Sequence, residues 1–269
     1  MRLLCRCLRV TRSGFYAWTH RPPSARATQD GHLLQRLCLV HARHRRLYGR
    51  PRLHRALRAE GVRISAKRVR RLMQAGGLTA VGRRPYRVTT DSAHAWPVAT
   101  NRLARQFGVT VPHQRWAADI TALPTGEGWG YLAVVLDLGS RRVVGWAIRP
   151  SLHVDLVLAA LHVALASRPH PQLHHSDRGV QYASDAYRRL LAQAGITISM
   201  SRVGNCWDNA PVESFFSSLK TELVSQARWT TLPAAETAVS DYLRFYNEHR
   251  LHSALDYRSP AAYEIVAAV

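Results

Sequence analysis

Hydrophobic positions recur along this chain with two different periods, and the change from one to the other divides it. In the first ninety residues the spacing is helical. Pro51 opens a helix in which Leu53 and Leu57 share a face, and Gly61 supplies its stop. Ser65 is placed to cap a second helix, in which Val69, Leu72 and Met73 form one stripe before Gly76 and Gly77 end it. Residues 85–112 show no clear period beyond a short helix expected around 101–107, and a linker is assigned to 91–112. Beyond it the apolar spacing shortens to two. Strands are expected at 116–121, 131–137 and 142–148, joined by turns at Gly126-Glu-Gly and Gly139-Ser140. A helix over 154–166, a strand at 172–175, a helix over 184–194 and a strand at 196–199 follow. Three consecutive strands and then alternating helix and strand predict an α/β domain at 113–269, a mixed sheet covered by helices, behind a helical region at 1–90.

Charge changes what the first region means. The 269 residues carry 38 Lys and Arg against 17 Asp and Glu, a formal net charge of +21 that repels itself unless a polyanion shares the surface. On the second N-terminal helix, Lys67, Arg70, Arg71 and Gln74 point away from the apolar stripe at about 100° per residue. Arg68 lies beside them, and Arg52 and Arg55 stand on the preceding helix. Two tightly joined helices, the second basic on its outer face, match a helix-turn-helix that enters the major groove of double-stranded DNA. An ordinary helical hairpin with a solvated cationic face is the alternative reading.

The composition also excludes some classes. At 46% hydrophobic residues the chain has enough apolar content for a core. Its longest apolar stretch, 156–166, falls well short of the roughly 18 residues of a spanning helix, so no membrane partner is expected. Cys5, Cys7, Cys38 and Cys206 lack zinc-site spacing, and a reduced, cytoplasmic protein is expected.

The acids that could do chemistry all lie beyond position 115. Asp119 falls within the first strand, in Trp116-Ala-Ala-Asp-Ile-Thr121. Asp177 follows the fourth, in His175-Ser-Asp-Arg-Gly-Val-Gln-Tyr182, and Glu213 sits on a helix thirty-five intervening residues later. On that helix Val212, Phe215, Phe216, Leu219 and Leu223 fall on one side, and Glu213, Ser217 and Lys220 on the other. Three carboxylates of this kind can hold two Mg²⁺ ions about 3.5 to 4 Å apart, with Mn²⁺ as a substitute, against a phosphodiester. The attacking oxygen then comes from water or from a DNA 3′-hydroxyl. Taken singly, each acid has a plainer explanation as a strand-end or capping carboxylate. Asp137, at a strand end, and Asp208, where a helix needs an N-cap, are left outside the metal set. His174 and His175 are assigned to strand packing, because imidazole suits a hard Mg²⁺ site poorly.

These runs resemble the integrase-type transposases encoded by the second reading frame of IS3-group bacterial insertion sequences. The similarity continues through Tyr131-Leu-Ala-Val-Val-Leu-Asp-Leu-Gly-Ser-Arg-Arg-Val-Val-Gly-Trp146 and Asn205-Cys-Trp-Asp-Asn-Ala-Pro-Val-Glu213 to Tyr246-Asn-Glu-His-Arg-Leu-His-Ser-Ala-Leu255. Upstream, Tyr48-Gly-Arg-Pro-Arg-Leu53 and 69–78 are similar to that family's helix-turn-helix segment. The resemblance implies a ribonuclease-H-like catalytic fold, with Asp119, Asp177 and Glu213 as metal ligands and Lys220 as a DNA-contacting companion. It also implies cutting at terminal inverted repeats, joining of 3′ ends to target DNA, partnership or fusion with the product of an upstream frame, a homo-oligomer on DNA, and a nucleoid-associated location. Two positions depart from the pattern: Gly139, where an aromatic is common, and Asp256, where glycine is common. A ribonuclease-H-type nuclease and a catalytically inert DNA-binding regulator are the alternatives.

Overall fold

The computed structural model describes residues 1–81, 99–108, 111–202 and 206–267. The chain divides into two compact units, Met1–Ala80 and Val81–Val269. Much of the expected linker, 91–98 and 109–110, lies outside the described residues.

In the first unit the described helices are α1 (Arg2–Cys7), α2 (Arg12–Thr19), α3 (Ala25–Arg43), α4 (Arg50–Ala59) and α5 (Ala66–Ala75). The expected helical pair is α4 and α5. Pro51 stands in the first turn of α4, and the Ser65 hydroxyl accepts the Arg68 N–H at the start of α5. Gly61 and Gly77 take positive φ, 80° and 63°, which a residue without Cβ adopts without strain. Leu53, Leu57, Val69 and Leu72 are buried together with Leu37 and Val40 of α3. The long helix α3, capped by Ser24, thus completes a core that two short helices could not close alone.

The second unit is built on β1 (Arg115–Thr125), β2 (Gly128–Asp137), β3 (Val143–Arg149), β4 (Leu173–Ser176) and β5 (Thr197–Met200), in the order β3-β2-β1-β4-β5. The first three strands form an antiparallel meander. Strands β4 and β5 run parallel to β1 because helices intervene between them: α6 (Val154–Ser167) before β4, then α7 (Val180–Ala183) and α8 (Asp185–Gln193) before β5. Trp116 and Ala118 of β1 face the core formed with α6, α7 and α8. Helices α9 (Ala210–Leu219) and α10 (Leu232–Glu248) pack against β1 outside that cluster, and α11 (Pro260–Ala267) follows. The close seat of α6 depends on Gly145, where an added Cβ would lie 2.2 Å from the Ala160 carbonyl oxygen. This order of strands, with helices on the sheet, is the ribonuclease-H-like α/β arrangement.

Three local expectations are corrected. Residues 101–107 form no helix. The chain bends there, with Ala104 and Arg105 at positive φ, because the Arg102 and Leu103 N–H groups turn inward to the Ser199 hydroxyl at 2.9 and 3.1 Å and bury Leu103. Asp208 does not cap α9; it is fully buried and satisfied by arginines, as described below. Leu223 is half-buried rather than buried, because the chain leaves α-helical geometry after Leu219 and forms a π-helix over Lys220–Val224. The two departures from the family pattern have local explanations. A Cβ at Gly139 would meet the Val111 carbonyl oxygen at 2.4 Å, and Asp256 takes the left-handed conformation, φ 52°, that short polar side chains tolerate.

Candidate active site

Strand register brings the two aspartates together. In the parallel β1–β4 pair, Ala117 is opposite His175 and Ala118 opposite Ser176. Asp177 is the first residue beyond that pairing, as Asp119 is on β1, and its charge is felt at Asp119. Alternation along β1 points Trp116 and Ala118 into the α6–α8 core and therefore turns Asp119 to the opposite face. Along β4, His174 meets Tyr187 of α8, and Asp177 follows directly after the strand ends at Ser176. Both carboxylates are oriented by backbone donors: Asp119 Oδ1 accepts the Ile120 N–H at 2.8 Å, and Asp177 Oδ1 accepts the Gly179 N–H at 2.9 Å.

The glutamate arrives through a contact absent from the sequence reading. Asn209, buried at the start of α9, donates from Nδ2 to the Ala118 carbonyl at 3.1 Å, next to Asp119. Glu213 is four residues on, in the first turn of α9, and its charge too is felt at Asp119. Val212, Phe215, Phe216 and Leu219 are buried, while Glu213 and Lys220 remain half-buried on the open side.

The electrostatics reflect this crowding. Burial lifts the Asp119 carboxyl well above the ordinary carboxylate range and the Asp177 charge lifts it further; Glu213 adds to the rise, against the Ile120 N–H and Lys220. Burial also raises Glu213. Lys220 is lowered by burial and partly restored by its attraction to Asp119. Such carboxylates ionise together only with a cation among them, and the donor set is all oxygen, so it fits a hard divalent ion. Among the described residues, no three His, Cys, Asp or Glu side chains converge closely enough to hold an ion as they stand. Asp119 lies within electrostatic reach of both Asp177 and Glu213.

The acids left outside the set are engaged elsewhere. Asp137 is buried and accepts N–H groups from His113, Gly139 and Ser140, fixing the β2–β3 turn. Asp208 is clamped by Arg202 at 2.9 and 3.0 Å, by Arg105 at 3.0 Å and by the Asn101 amide at 2.8 Å. Arg202 holds its carboxyl well below the ordinary range in spite of burial, and Arg105 contributes. The histidines are buried: His174 bonds the Tyr187 hydroxyl at 3.1 Å, and His175 lies between the Ser199 and Ser201 hydroxyls at 2.9 and 3.2 Å.

In the first unit, Lys67, Arg70 and Gln74 are exposed on α5, and Arg70 and Gln74 line a recess with Arg50, Met73 and Leu78. Arg68 and Arg71 both pair with Asp30 of α3, and Arg68 also bonds Gln29 at 2.8 Å. Arg52 of α4 lies 5.6 Å from the centre of the Tyr48 ring, and Arg55 is exposed. The Asp30 partnership escaped the sequence reading, which did not place α3.

An acidic face on a ribonuclease-H-like sheet defines the class as an integrase-type catalytic core. Residues 109–206 and 194–260 each match a model described as an integrase core domain, and residues 29–86 match an HTH-like domain. The chain is 40% identical to the insertion element IS600 uncharacterized 31 kDa protein of Shigella sonnei, over 97% of both chains. It is 39% identical to transposase InsF for insertion sequence IS3A of Escherichia coli strain K12, over 98% of this chain and 93% of that one. A chain in the simian T-cell lymphotropic virus intasome shares the fold with a TM-score of 0.51 at 18% identity, over 85% of this chain and 74% of that one. The protein belongs to the integrase-core transposase family of IS3-type insertion sequences.

Proposed function

We propose that this protein is a DNA transposase that cuts the ends of an insertion sequence and transfers the freed 3′-hydroxyl to a target phosphodiester. The reading is supported by Asp119 on β1, with Asp177 immediately past the parallel strand β4 and Glu213 on α9, whose N-cap Asn209 bonds the Ala118 carbonyl. Asp119, Asp177 and Glu213 would hold two Mg²⁺ ions, or Mn²⁺ in their place, whose charge supports the attacking and leaving oxygens of an in-line displacement. The chain's own groups do the rest. The Ile120 and Gly179 N–H groups orient the two aspartates, and Lys220 presents its ammonium to a DNA phosphate at the edge of the acidic face. Neither chemistry requires a protein nucleophile.

DNA binding falls to the first unit, through Lys67, Arg70, Gln74, Arg52 and Arg55. Arg68 and Arg71 support α5 through Asp30 and reach phosphate from its edge. Terminal inverted repeats and target DNA are the substrates, the upstream-frame product is a partner or fusion, and the active form is a homo-oligomer on DNA. No described helix is long and apolar enough to cross a membrane.

The test is joining of matched terminal-repeat DNA by the protein with its upstream partner in Mg²⁺ or Mn²⁺. Asp177→Asn is expected to abolish cutting and joining while end binding persists. Hydrolysis of an RNA–DNA hybrid without joining would favour a ribonuclease H, and an Asp177→Asn protein equal to wild type in every assay would favour an inert regulator.

A further inference from the structure

Helix α9 carries Glu213 and ends at Leu219, and Lys220 opens the turn that follows. Residues Lys220–Val224 form a π-helix. Such turns are rare, strain the ladder and persist where surrounding contacts impose them. Here the imposing contact is a buried ion pair from the far end of the chain. Arg250, just beyond α10, donates from Nη2 to Glu222 Oε1 at 2.6 Å and from Nε to Oε2 at 2.8 Å, and the Tyr242 hydroxyl donates to Oε2 at 2.9 Å. The Arg250 side chain is 5% exposed and that of Glu222 9%.

The same guanidinium reaches back across the turn. Arg250 Nη2 also donates to the Ser218 hydroxyl at 3.2 Å, and the guanidinium lies 5.5 Å from the Tyr246 ring centre. Ser218 precedes Lys220 by two residues and Glu222 follows it by two, so one planar fork grips side chains on both sides of the lysine. Lys220 emerges between these grips, half-buried and within electrostatic reach of Asp119. Buried ion pairs contribute little net stability compared with apolar packing, so stability alone is a weak reason for this one. A two-point hold on a π turn does give a defined direction to the side chain at its centre.

We infer that Arg250 is a positioning residue that acts through Lys220: by clamping Ser218 and Glu222 it fixes the π turn and aims the Lys220 ammonium at a phosphate of DNA bound to the acidic face. This rests on the transposase reading. The hydrogen bonds of Arg250 go to Ser218, Glu222 and His252 rather than to Asp119, Asp177 or Glu213.

The experiment is a double-mutant cycle on the full chain, joined to its upstream partner, with matched end DNA. It reads both single-turnover joining and the salt dependence of end binding. Loss of one phosphate contact lowers the slope of log K against log salt by about 0.9. Lys220→Ala and Arg250→Gln are each expected to lower the slope by that amount, and the double variant to lower it no further. Joining should follow the same pattern, with Arg250→Gln about tenfold or more slower in an otherwise wild-type chain and nearly without effect beside Lys220→Ala. Arg250→Lys keeps the charge but loses the fork, and should recover only part of the rate. Where Arg250→Gln does not fold, Glu222→Gln, which keeps shape, carries the same cycle. Slope and rate losses that simply add, or an Arg250→Gln chain with wild-type slope and rate, overturn the inference and leave the transposase reading intact. A wild-type chain that neither cuts nor joins overturns both.

Discussion

Asn209 and Asp208 are neighbours in the chain with opposite assignments, and together they show what single residues decide here. Asn209 holds the carbonyl beside Asp119, whereas Asp208 is closed off by Arg202, Arg105 and Asn101. Replacing Asn209 by Ala removes a buried hydrogen bond, an expected loss of about 1 to 2 kcal/mol in denaturant titration. The joining rate should fall further than that loss explains, because Glu213 is no longer held in register. Equal losses in rate and folded fraction would make Asn209 purely structural. The strand that carries Asp119 and the helix that carries Glu213 were legible in the sequence. What the adjacent buried residues Asp208 and Asn209 bond was not, since their partners Ala118, Asn101 and Arg105 lie about a hundred residues away.

His174 gives a second prediction at this scale. Burial and the adjacent His175 lower it from 6.5 to about 3. A histidine that stays neutral when folded but takes a proton when unfolded makes the native state less favoured as pH falls below 6.5, with the loss continuing toward pH 3. Thermal melting is expected to drop steadily over that window, and more gently in His174→Gln. An unchanged acid profile in that variant would assign the sensitivity to other groups.

Elements with one clear period were legible: the sheet strands, α6, α8 and the α4–α5 pair fall where alternation and capping residues place them. The π turn did not, because its apolar spacing over one turn cannot be told from α-helical spacing. The bend at 101–107 also escaped, since the Ser199 hydroxyl that captures it comes from a strand almost a hundred residues later. Helix–sheet packing yields a prediction of its own. Gly145 lets α6 approach β3 so closely that a methyl group there would collide with the Ala160 backbone and the Ala164 side chain. Gly145→Ala is expected to cost about 1 to 3 kcal/mol of stability by forcing the helix outward. Urea unfolding would measure it, and a wild-type midpoint would mean that α6 shifts without penalty.

For the whole molecule, the excess of positive charge has a definite reading. If α5 follows DNA through Lys67 and Arg70, each alanine replacement should weaken binding similarly across sequences and lower the salt slope by about 0.9. Gln74→Ala should leave the slope alone and alter sequence preference instead. Both are read by fluorescence anisotropy titrations at several salt concentrations, and an unchanged slope for Lys67→Ala and Arg70→Ala would move the DNA surface off this helix. The contrast between a strongly basic first unit and a second unit that holds most of the acids was visible in the charge distribution. The Asp30 tie, which occupies two of the basic side chains, was not.

The parallel pairing of β1 with β4 has a consequence for the protein's life before it is finished. The meander of β1, β2 and β3 assembles from near neighbours, but β4 reaches its place only after the chain has travelled through α6. Until that crossover closes, Asp119 and Asp177 lie on stretches of the chain that have not yet met.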